Sequence, residues 1–346
     1  MRVVACCLMA SAALLVGCQL GPADRSPDGE AAPTPRSGSV TPSDELSEAP
    51  RTAPRPSASL MPSRSPRPPD DPPGSPAAPV RFRAQSALAT VRALAADIGP
   101  REATSPAYRR AAGLVEDRLR GLGYRVARQR LQVPAGVSWG VPVRSGTTWN
   151  VVALPAAFHT EQPHLLLGAH LDTVPQAPGA EDNASGVAVL LEVARMAVRG
   201  DTRLPVVFVA FGAEEPRGEG DQLHHFGSQA YAGRMTVQQR SALRGMVSLD
   251  RVGVGRVVPI CTGGVSPPTV QNQLTRAASR VDVPVRRCDD NQSSDHWSFE
   301  KEGMLAARLG STPYAAYHSA ADVPGVVRRA QLARTGRITW EWLRSR

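Results

Sequence analysis

The hydrophobic pattern of residues 80–346 changes repeatedly between a helical period and short runs of apolar residues. Helical spacing predicts one helix near 85–96 and another near 105–122, which Gly123 ends. Apolar runs predict strands over 124–131, 148–154, 165–168, 204–211, 245–249 and 304–309. Further helices are predicted over 185–198, 270–281 and 326–343. This alternation is typical of an α/β fold, here with a mixed, largely parallel central sheet and helices on both faces.

Three of the predicted strands run into side chains of the kind that bind metal ions. The run 165–169 leads into His170, the run 206–213 into Glu214 and Glu215, and the run 246–249 into Asp250. Continuous apolar runs are typical of strands that are buried on both faces. Because ligands of open α/β sheets lie beyond the carboxyl ends of the strands, these side chains are expected to share one site.

Two short motifs add chemistry to that site. In His170-Leu171-Asp172 the imidazole and the carboxylate lie on the same side of an extended segment. The carboxylate of Asp172 can therefore accept the imidazole N–H and leave the other nitrogen for a metal. Asp182 lies in the loop 179–186, just before a predicted helix, where its simplest role is to complement the helix dipole. In the doublet Glu214-Glu215, one acid can bind a metal while the other takes a proton from metal-bound water.

The order and spacing of six motifs resemble those of the co-catalytic di-zinc aminopeptidases, metallopeptidase family twenty-eight. The motifs are 168–175, 178–186, 211–215, 248–253, 294–296 and 317–319, and the resemblance extends over about residues 83–346. It implies a zinc-exopeptidase fold with two Zn²⁺ ions per chain. His170 and Asp250 would hold one ion, Glu215 and His318 would hold the other, and Asp182 would bridge the two.

The resemblance also implies roles for residues that do not bind metal. Glu214 would be the general base, Asp172 would orient His170, and the Tyr317 hydroxyl would help to polarise the scissile carbonyl. Asp295 and His296 match a family motif near the site without being ligands, and His296 is expected either to support the site or to be purely structural.

The chain departs from the family pattern at three places. An insertion, Pro216 to Phe226, follows the Glu-Glu doublet and brings His224 and His225, which we expect to be solvated or locally bonded. Ser319 follows the predicted ligand His318, where the family usually has threonine, and Arg251 replaces a common apolar residue after Asp250. These departures bear on substrate preference more than on metal binding.

The first 79 residues differ in composition from the rest. Residues 1–18 carry one basic side chain and then an uncharged run that is too short to span a membrane, which predicts an export signal. Its end, Leu15-Val16-Gly17-Cys18, resembles the lipobox of bacterial lipoproteins, in which the cysteine is acylated; an ordinary secretory signal is the alternative. Residues 19–79 hold 16 of the 32 prolines and no aromatic residue, so we predict a disordered tether. The predicted domains are therefore a signal peptide over 1–18, a tether over 19–79 and a peptidase domain over 80–346, exported and anchored to the cell-envelope membrane through lipid on Cys18.

Charge bears on the binding partners of the chain, and cysteine content bears on disulfide formation. The formal charge is +9, and nearly all the basic residues are scattered arginines, so nucleic acid is not expected as a partner. Cys261 and Cys288 remain in the globular part and can either form a disulfide in an oxidising compartment or stay as free thiols.

The sequence therefore predicts a zinc-dependent exopeptidase that hydrolyses the amino-terminal peptide bond of peptides, with a metal-bound water activated by Glu214. One alternative keeps the fold and changes the chemistry, to a single-zinc glutaminyl-cyclase-like acyltransferase or a carboxypeptidase. Another is a lipoprotein that binds peptides without cleaving them, although such a protein would not need the general base.

Overall fold

The computed structural model describes residues 79–345. The predicted signal peptide, including Cys18, and the predicted tether up to residue 78 lie outside the described residues. None of the helices in 79–345 combines the length and the apolar character needed to cross a membrane.

The described part of the chain is built on an eight-stranded sheet with a small separate hairpin. The strands are β1 Arg125–Val133, β2 Gly136–Ser138, β3 Val141–Val143, β4 Gly146–Leu154, β5 His164–His170, β6 Val206–Phe211, β7 Leu243–Asp250, β8 Val258–Cys261, β9 Val285–Cys288 and β10 Ala306–Gly310. The order in the large sheet is β1-β4-β6-β5-β7-β10-β8-β9, and β2 pairs with β3 in the hairpin. The four central strands, β6, β5, β7 and β10, are mutually parallel. At one edge β1 and β4 pair antiparallel to their neighbours, and at the other edge β8 is antiparallel to β10 and parallel to β9.

Helices cover both faces of this sheet. They are α1 Ala84–Arg92, α2 Pro106–Gly121, α3 Ser185–Arg199, α4 Phe226–Arg234, α5 Val237–Ala242, α6 Thr269–Arg280, α7 His296–Lys301 and α8 Arg329–Arg344, and α1 continues as a π-helical turn over Ala93–Ile98. Side chains of α1, α2, α3, α6 and α8 pack with Leu165 and Leu167 on one face of β5. Leu166 points to the opposite face and packs there with Phe299 of α7. The alternation of a strand buried on both sides thus divides the apolar residues between two cores.

The predicted fold class, a mixed and largely parallel sheet with helices on both faces, is confirmed. Ser105 begins α2 as expected of a capping residue, because its hydroxyl accepts the Tyr108 N–H at 3.0 Å. Strands β8 and β9, the β2–β3 hairpin and helices α4, α5 and α7 were not predicted. These elements are short, and β9 carries polar residues at partly exposed positions, so their periodic signal is weak.

The parallel arrangement brings the ends of the central strands to one edge of the sheet. His170 lies opposite Phe211 of β6, and Asp250 lies opposite Gly310 of β10. Gly310 has a φ of 117°, and a Cβ atom there would lie 1.8 Å from the Asp250 carbonyl oxygen. Glycine is therefore required where β10 passes the end of β7.

Candidate metal centre

The two oxygens of Asp182 face two different histidines. His170 Nε2 lies 3.1 Å from Asp182 Oδ1, and His318 Nε2 lies 3.1 Å from Asp182 Oδ2. His170 Nε2 is also 3.6 Å from Asp250 Oδ1, and His318 Nε2 is 3.3 Å from Glu215 Oε2. The structure thus brings all five predicted ligand side chains together, with Asp182 between two pairs.

These separations fit zinc coordination. Ligand atoms about 2.0–2.1 Å from a tetrahedral zinc ion lie roughly 3.3 Å from one another, close to the spacings within each group. Two of the acceptor atoms, Glu215 Oε1 and Asp250 Oδ1, are buried and lack a hydrogen-bond donor among the described residues. Imidazole nitrogens and carboxylate oxygens are ligands that zinc accepts. Glu214, His170 and Asp250 also place one ligand atom each within 4.8 Å of one another, so Glu214 lies at the border of the cluster.

The loop that carries Asp182 is attached to the segments that carry the other ligands. The carboxylate of Asp322 accepts the backbone N–H groups of Glu181 and Asp182 at 2.9 and 3.1 Å. The side chain of Asn183 donates to the Leu249 carbonyl, at the end of β7, at 2.8 Å. Hydrogen bonds therefore tie the loop to the segment after His318 on one side and to β7 on the other.

Arg101 holds the start of the same loop. Its guanidinium donates to the carbonyls of Leu171, Pro178 and Gly179 at 2.7, 2.6 and 2.9 Å. The side chain is fully buried, and its bonds go to backbone carbonyls outside the strands; the Gly179 carbonyl also accepts the Ala184 N–H at 3.1 Å. Arg101 thereby fixes the path of the chain between His170 and Asp182.

The carboxylate of Asp172 has a different partner from the predicted one. Its oxygens accept the backbone N–H groups of Glu214 and Glu215 at 3.0 and 3.1 Å. The His170 Nδ1 atom lies 3.9 Å from that carboxylate and 3.3 Å from the Asp172 backbone carbonyl. The predicted hydrogen bond from His170 to the Asp172 carboxylate is therefore not observed. The chain turns after β5, so that the backbone carbonyl of Asp172 faces the imidazole instead. The carboxylate instead positions the Glu-Glu doublet.

Glu214 is paired with a histidine that the sequence did not single out as part of the site. His225 is buried, and its Nε2 atom lies 3.3 Å from Glu214 Oε1. Burial raises the pKa of the Glu214 carboxyl, but His170 and His225 outweigh burial and lower this pKa. Glu214 is therefore ionised at neutral pH, as a general base must be. His225 was expected to be solvated or locally bonded. Its contact with Glu214 was not predicted, because this contact depends on how the insertion folds back.

The insertion is attached to helix α7. Asp221 accepts the indole N–H of Trp297 at 3.0 Å and forms an ion pair with Lys301. The backbone N–H of His225 donates to the Glu214 carbonyl at 2.9 Å. These contacts keep His225 beside Glu214, whereas the Nε2 of His224 bonds to the Gly218 carbonyl at 3.1 Å within the insertion.

Asp250 has an arginine on the side away from His170. Arg308 of β10 is completely buried, and its Nη2 lies 3.0 Å from Asp250 Oδ2. Although burial raises the pKa of the Asp250 carboxyl, Arg308 and then His170 hold it well below its usual range. Ser293 accepts from the other terminal nitrogen of Arg308 through its carbonyl and hydroxyl oxygens, at 2.8 and 2.9 Å.

A cavity of about 210 Å³ opens onto the metal-ligand cluster. Trp139, in the turn of the β2–β3 hairpin, and Tyr317 form an aromatic wall, with ring centroids 5.6 Å apart. They are 53% and 37% exposed, so this wall is available to a ligand. The Tyr317 ring stacks on His318 at 3.7 Å, and burial raises the pKa of its hydroxyl, which is therefore protonated.

The remaining predicted residues lie outside the ligand cluster. Asp295 and His296 are buried at the start of α7, and burial followed by the charge of Glu214 raises the pKa of Asp295 to about 7. Burial and then Arg308 lower the pKa of His296 to about 3, and its Nε2 lies 2.8 Å from the Asn291 carbonyl. Cys261 and Cys288 are joined in a disulfide between β8 and β9, with Cα atoms 4.5 Å apart.

Comparison with known proteins gives this geometry a family. The family model for peptidase family M28 matches residues 150–343, which is more than half of the chain. The aminopeptidase YwaD of Bacillus subtilis is 28% identical over 169 residues, covering 47% of this chain and 35% of the relative. An uncharacterised Escherichia coli protein, YfbL, is 34% identical over 138 residues, covering 37% of this chain and 38% of the relative. These matches span little more than a third of the length of each curated relative.

Solved structures agree on the fold. The zinc aminopeptidase BSAP of Bacillus subtilis aligns with a TM-score of 0.67 at 18% identity, covering 76% of this chain and 95% of that one. The glutaminyl cyclase of Porphyromonas gingivalis aligns with a TM-score of 0.66 at 22% identity, covering 77% and 99%. At these identities the likeness concerns the fold alone, and it is shared by two kinds of enzyme. The family match, however, extends over most of the folded region, and the chain belongs to peptidase family M28.

Proposed function

We propose that this protein is a zinc-dependent aminopeptidase that hydrolyses the first peptide bond of peptides with two zinc ions. The observation that carries the proposal is the position of Asp182, whose two oxygens each lie 3.1 Å from a different histidine. A carboxylate placed in this way is suited to bridge two cations. His170 with Asp250 would hold one ion, and His318 with Glu215 would hold the other.

The side chains around the cluster suggest how hydrolysis proceeds. The chemistry supplied by two bound zinc ions is polarisation of the scissile carbonyl and a lowered pKa for water. Glu214 is ionised and lies at the border of the cluster, so it takes a proton from the attacking water and delivers it to the nitrogen of the leaving peptide. The protonated Tyr317 hydroxyl is available as a donor to the carbonyl oxygen.

Two contacts keep the general base in place. Asp172 accepts the backbone N–H groups of both glutamates, which fixes the turn after β6. His225 contacts Glu214 Oε1 at 3.3 Å, which leaves the other oxygen, Oε2, on the side of His170 at 4.0 Å. In this arrangement Oε2 faces the position where water would be activated, and His225 acts as a positioning residue.

Metal analysis tests the proposal directly. The zinc-loaded wild type is expected to hold two zinc ions per chain and to release free leucine from leucyl peptides. Asp182→Ala is expected to lose both zinc and activity, because each metal position loses a ligand. The proposal fails if zinc loading leaves less than one ion per chain and Asp182→Ala retains full activity.

A glutaminyl-cyclase-like activity is the second candidate, because solved glutaminyl cyclases align about as well as the zinc aminopeptidases do. The presence of side chains for two metal positions favours the aminopeptidase over a single-zinc acyltransferase. Incubation with leucyl peptides and with peptides that begin with glutamine separates the two. Free leucine supports the aminopeptidase, whereas pyroglutamyl peptide supports the cyclase.

We further propose that the reaction takes place outside the cytoplasm, on a domain anchored through lipid on Cys18. The support is the export-signal pattern of residues 1–18 and the proline-rich stretch that follows it. Peptides in the cell envelope or the medium would then be the substrates.

A further inference from the structure

Arg251 is a cavity-lining arginine whose hydrogen-bonding capacity is largely unused. It directly follows Asp250, and its side chain is 12% exposed. A guanidinium has five N–H donors. Within residues 79–345, however, the side chain makes one hydrogen bond, from Nη2 to Ser311 Oγ at 3.4 Å. The central carbon of its guanidinium, Cζ, also lies 4.5 Å from the centroid of the Tyr317 ring.

The carboxylate of Asp250 does not occupy the hydrogen-bond donors of Arg251. Arg308 already pairs with Asp250 Oδ2 at 3.0 Å. The Nε of Arg251 is 3.8 Å from Oδ1, the oxygen that faces His170 and would be given to a metal ion. Among residues 79–345, therefore, no carboxylate lies within hydrogen-bond distance of the Arg251 side chain.

The uncommitted donors of Arg251 suit an anionic ligand, although four carboxylates, those of Asp182, Glu214, Glu215 and Asp250, line the same cavity; three of these would be bound to metal ions in the proposed site. Arg251 is the single arginine among the described residues that line the cavity beside the metal-ligand cluster. The same cavity offers the aromatic surfaces of Trp139 and Tyr317, and Arg251 itself lies against the Tyr317 ring. The cavity has a volume of about 210 Å³, which is room for a small part of a peptide but not for several long side chains. A guanidinium beside the reacting bond, with free donors in a partly desolvated wall, is suited to bind a carboxylate through paired hydrogen bonds.

We propose that Arg251 is a specificity-determining residue that binds a carboxylate of the substrate close to the scissile bond. This inference rests on the proposed aminopeptidase function and adds a substrate class to it. A short peptide can supply the carboxylate from the side chain of an amino-terminal aspartate or glutamate, or from the C-terminus of a dipeptide. Both sources present the same chemistry to Arg251.

Three dipeptides distinguish these sources in the zinc-loaded full-length chain. Leu-Ala-amide carries no carboxylate, Glu-Ala-amide carries one on the first side chain, and Leu-Ala carries one at its C-terminus. The measured quantity is kcat/KM for each carboxylate-bearing dipeptide divided by that for Leu-Ala-amide. If Arg251 binds the carboxylate through charge-assisted hydrogen bonds, one of these two ratios is expected to fall by about 10–100-fold in Arg251→Met, mainly because KM rises. The ratio that falls identifies the source.

Two further variants control for charge and for packing. Arg256→Met removes an exposed arginine from the same segment after β7 and is expected to leave both ratios unchanged. Arg251→Lys keeps the charge without the paired donors and is expected to retain part of the preference. The inference is overturned if both ratios are the same in wild type and Arg251→Met.

Binding measurements keep this test separate from the test of the proposed function. If the zinc-loaded wild type cleaves none of the three dipeptides, the aminopeptidase proposal fails. Calorimetry of the same dipeptides on Glu214→Gln, alone and combined with Arg251→Met, then gives dissociation constants without turnover. A carboxylate preference that is lost on adding Arg251→Met supports the inference, and equal dissociation constants for all three dipeptides refute it.

Discussion

Removing the charge of Arg308 should destabilise the metal-free protein much more than the zinc-loaded protein. Arg308 and Asp250 form an ion pair at 3.0 Å, and both side chains are buried. Removal of one partner of such a pair costs about 3–5 kcal/mol, because the remaining charge is left uncompensated. For a domain of this size that corresponds to a fall of about 6–20 °C in the melting temperature of Arg308→Met in the presence of chelator.

Zinc should recover much of this loss. A cation bound to Asp250 neutralises the same carboxylate charge that Arg308 neutralises. The two cations therefore each reduce the stabilisation that the other obtains from Asp250. By linkage, removal of Arg308 should strengthen zinc binding at the position of His170 and Asp250, by about tenfold for each 1.4 kcal/mol of coupling. Melting temperature with chelator and with excess zinc, together with zinc dissociation constants from competition with a chelating dye, measures both effects.

A matched variant separates this coupling from a general loss of packing. Arg217 is also buried, but it pairs with Glu102 and bonds to the carbonyls of Pro134 and Arg144, none of which belongs to the ligand cluster. Arg217→Met should lower the melting temperature by a similar amount with and without zinc. If Arg308→Met behaves in the same way, and its zinc dissociation constants equal those of the wild type, the reasoning about Asp250 is refuted.

Three further predictions concern the general base, pH and anchoring. Glu214→Gln should lower kcat by about 10²–10⁴-fold with unchanged zinc content, and a variant that keeps its activity would exclude Glu214 as the base. His296 has a pKa lowered to about 3, so between pH 6.5 and 3 the unfolded chain binds a proton that the folded chain does not, and the free energy of unfolding falls as pH decreases. In urea unfolding with chelator, His296→Gln should flatten this dependence by up to about 1.4 kcal/mol per pH unit, and parallel curves for the two proteins would contradict the assignment. Cys18→Ser should move the exported protein from the membrane fraction to the soluble fraction, whereas an unchanged distribution would indicate an ordinary secretory signal.

The fold class could be predicted because strand and helix periods are local properties of the sequence. The buried run before His170 is apolar at every position, since β5 is covered on both faces. The short strands β8 and β9 gave no comparable signal. β9 has four residues, two of them exposed arginines, and its place in the sheet depends on pairing with β8. Pairing between distant segments is not encoded in a local period.

The candidate ligands could be predicted for a related reason. His170 and Asp250 stand at the ends of adjacent parallel strands, so their proximity follows once the strands are assigned to one sheet. Asp182 and His318 lie in loops, and their place in the site was implied by the family resemblance rather than by the strand pattern. The local spacing of Asp172 was misleading, because the turn after β5 presents its backbone carbonyl to His170 and its carboxylate to the Glu-Glu doublet.

The alternation of helices and strands, and the types of side chain that follow the central strands, could be predicted because both depend on consecutive residues. Which charged groups come into contact depends on how distant segments pack. His225 lies beside Glu214, Arg308 lies behind Asp250, and Arg251 lies against Tyr317 on the wall of the cavity. Each of these contacts joins side chains from different segments. Arginine is usually a surface residue, so the complete burial of Arg308 and the near burial of Arg251 are visible only after the chain has folded around them.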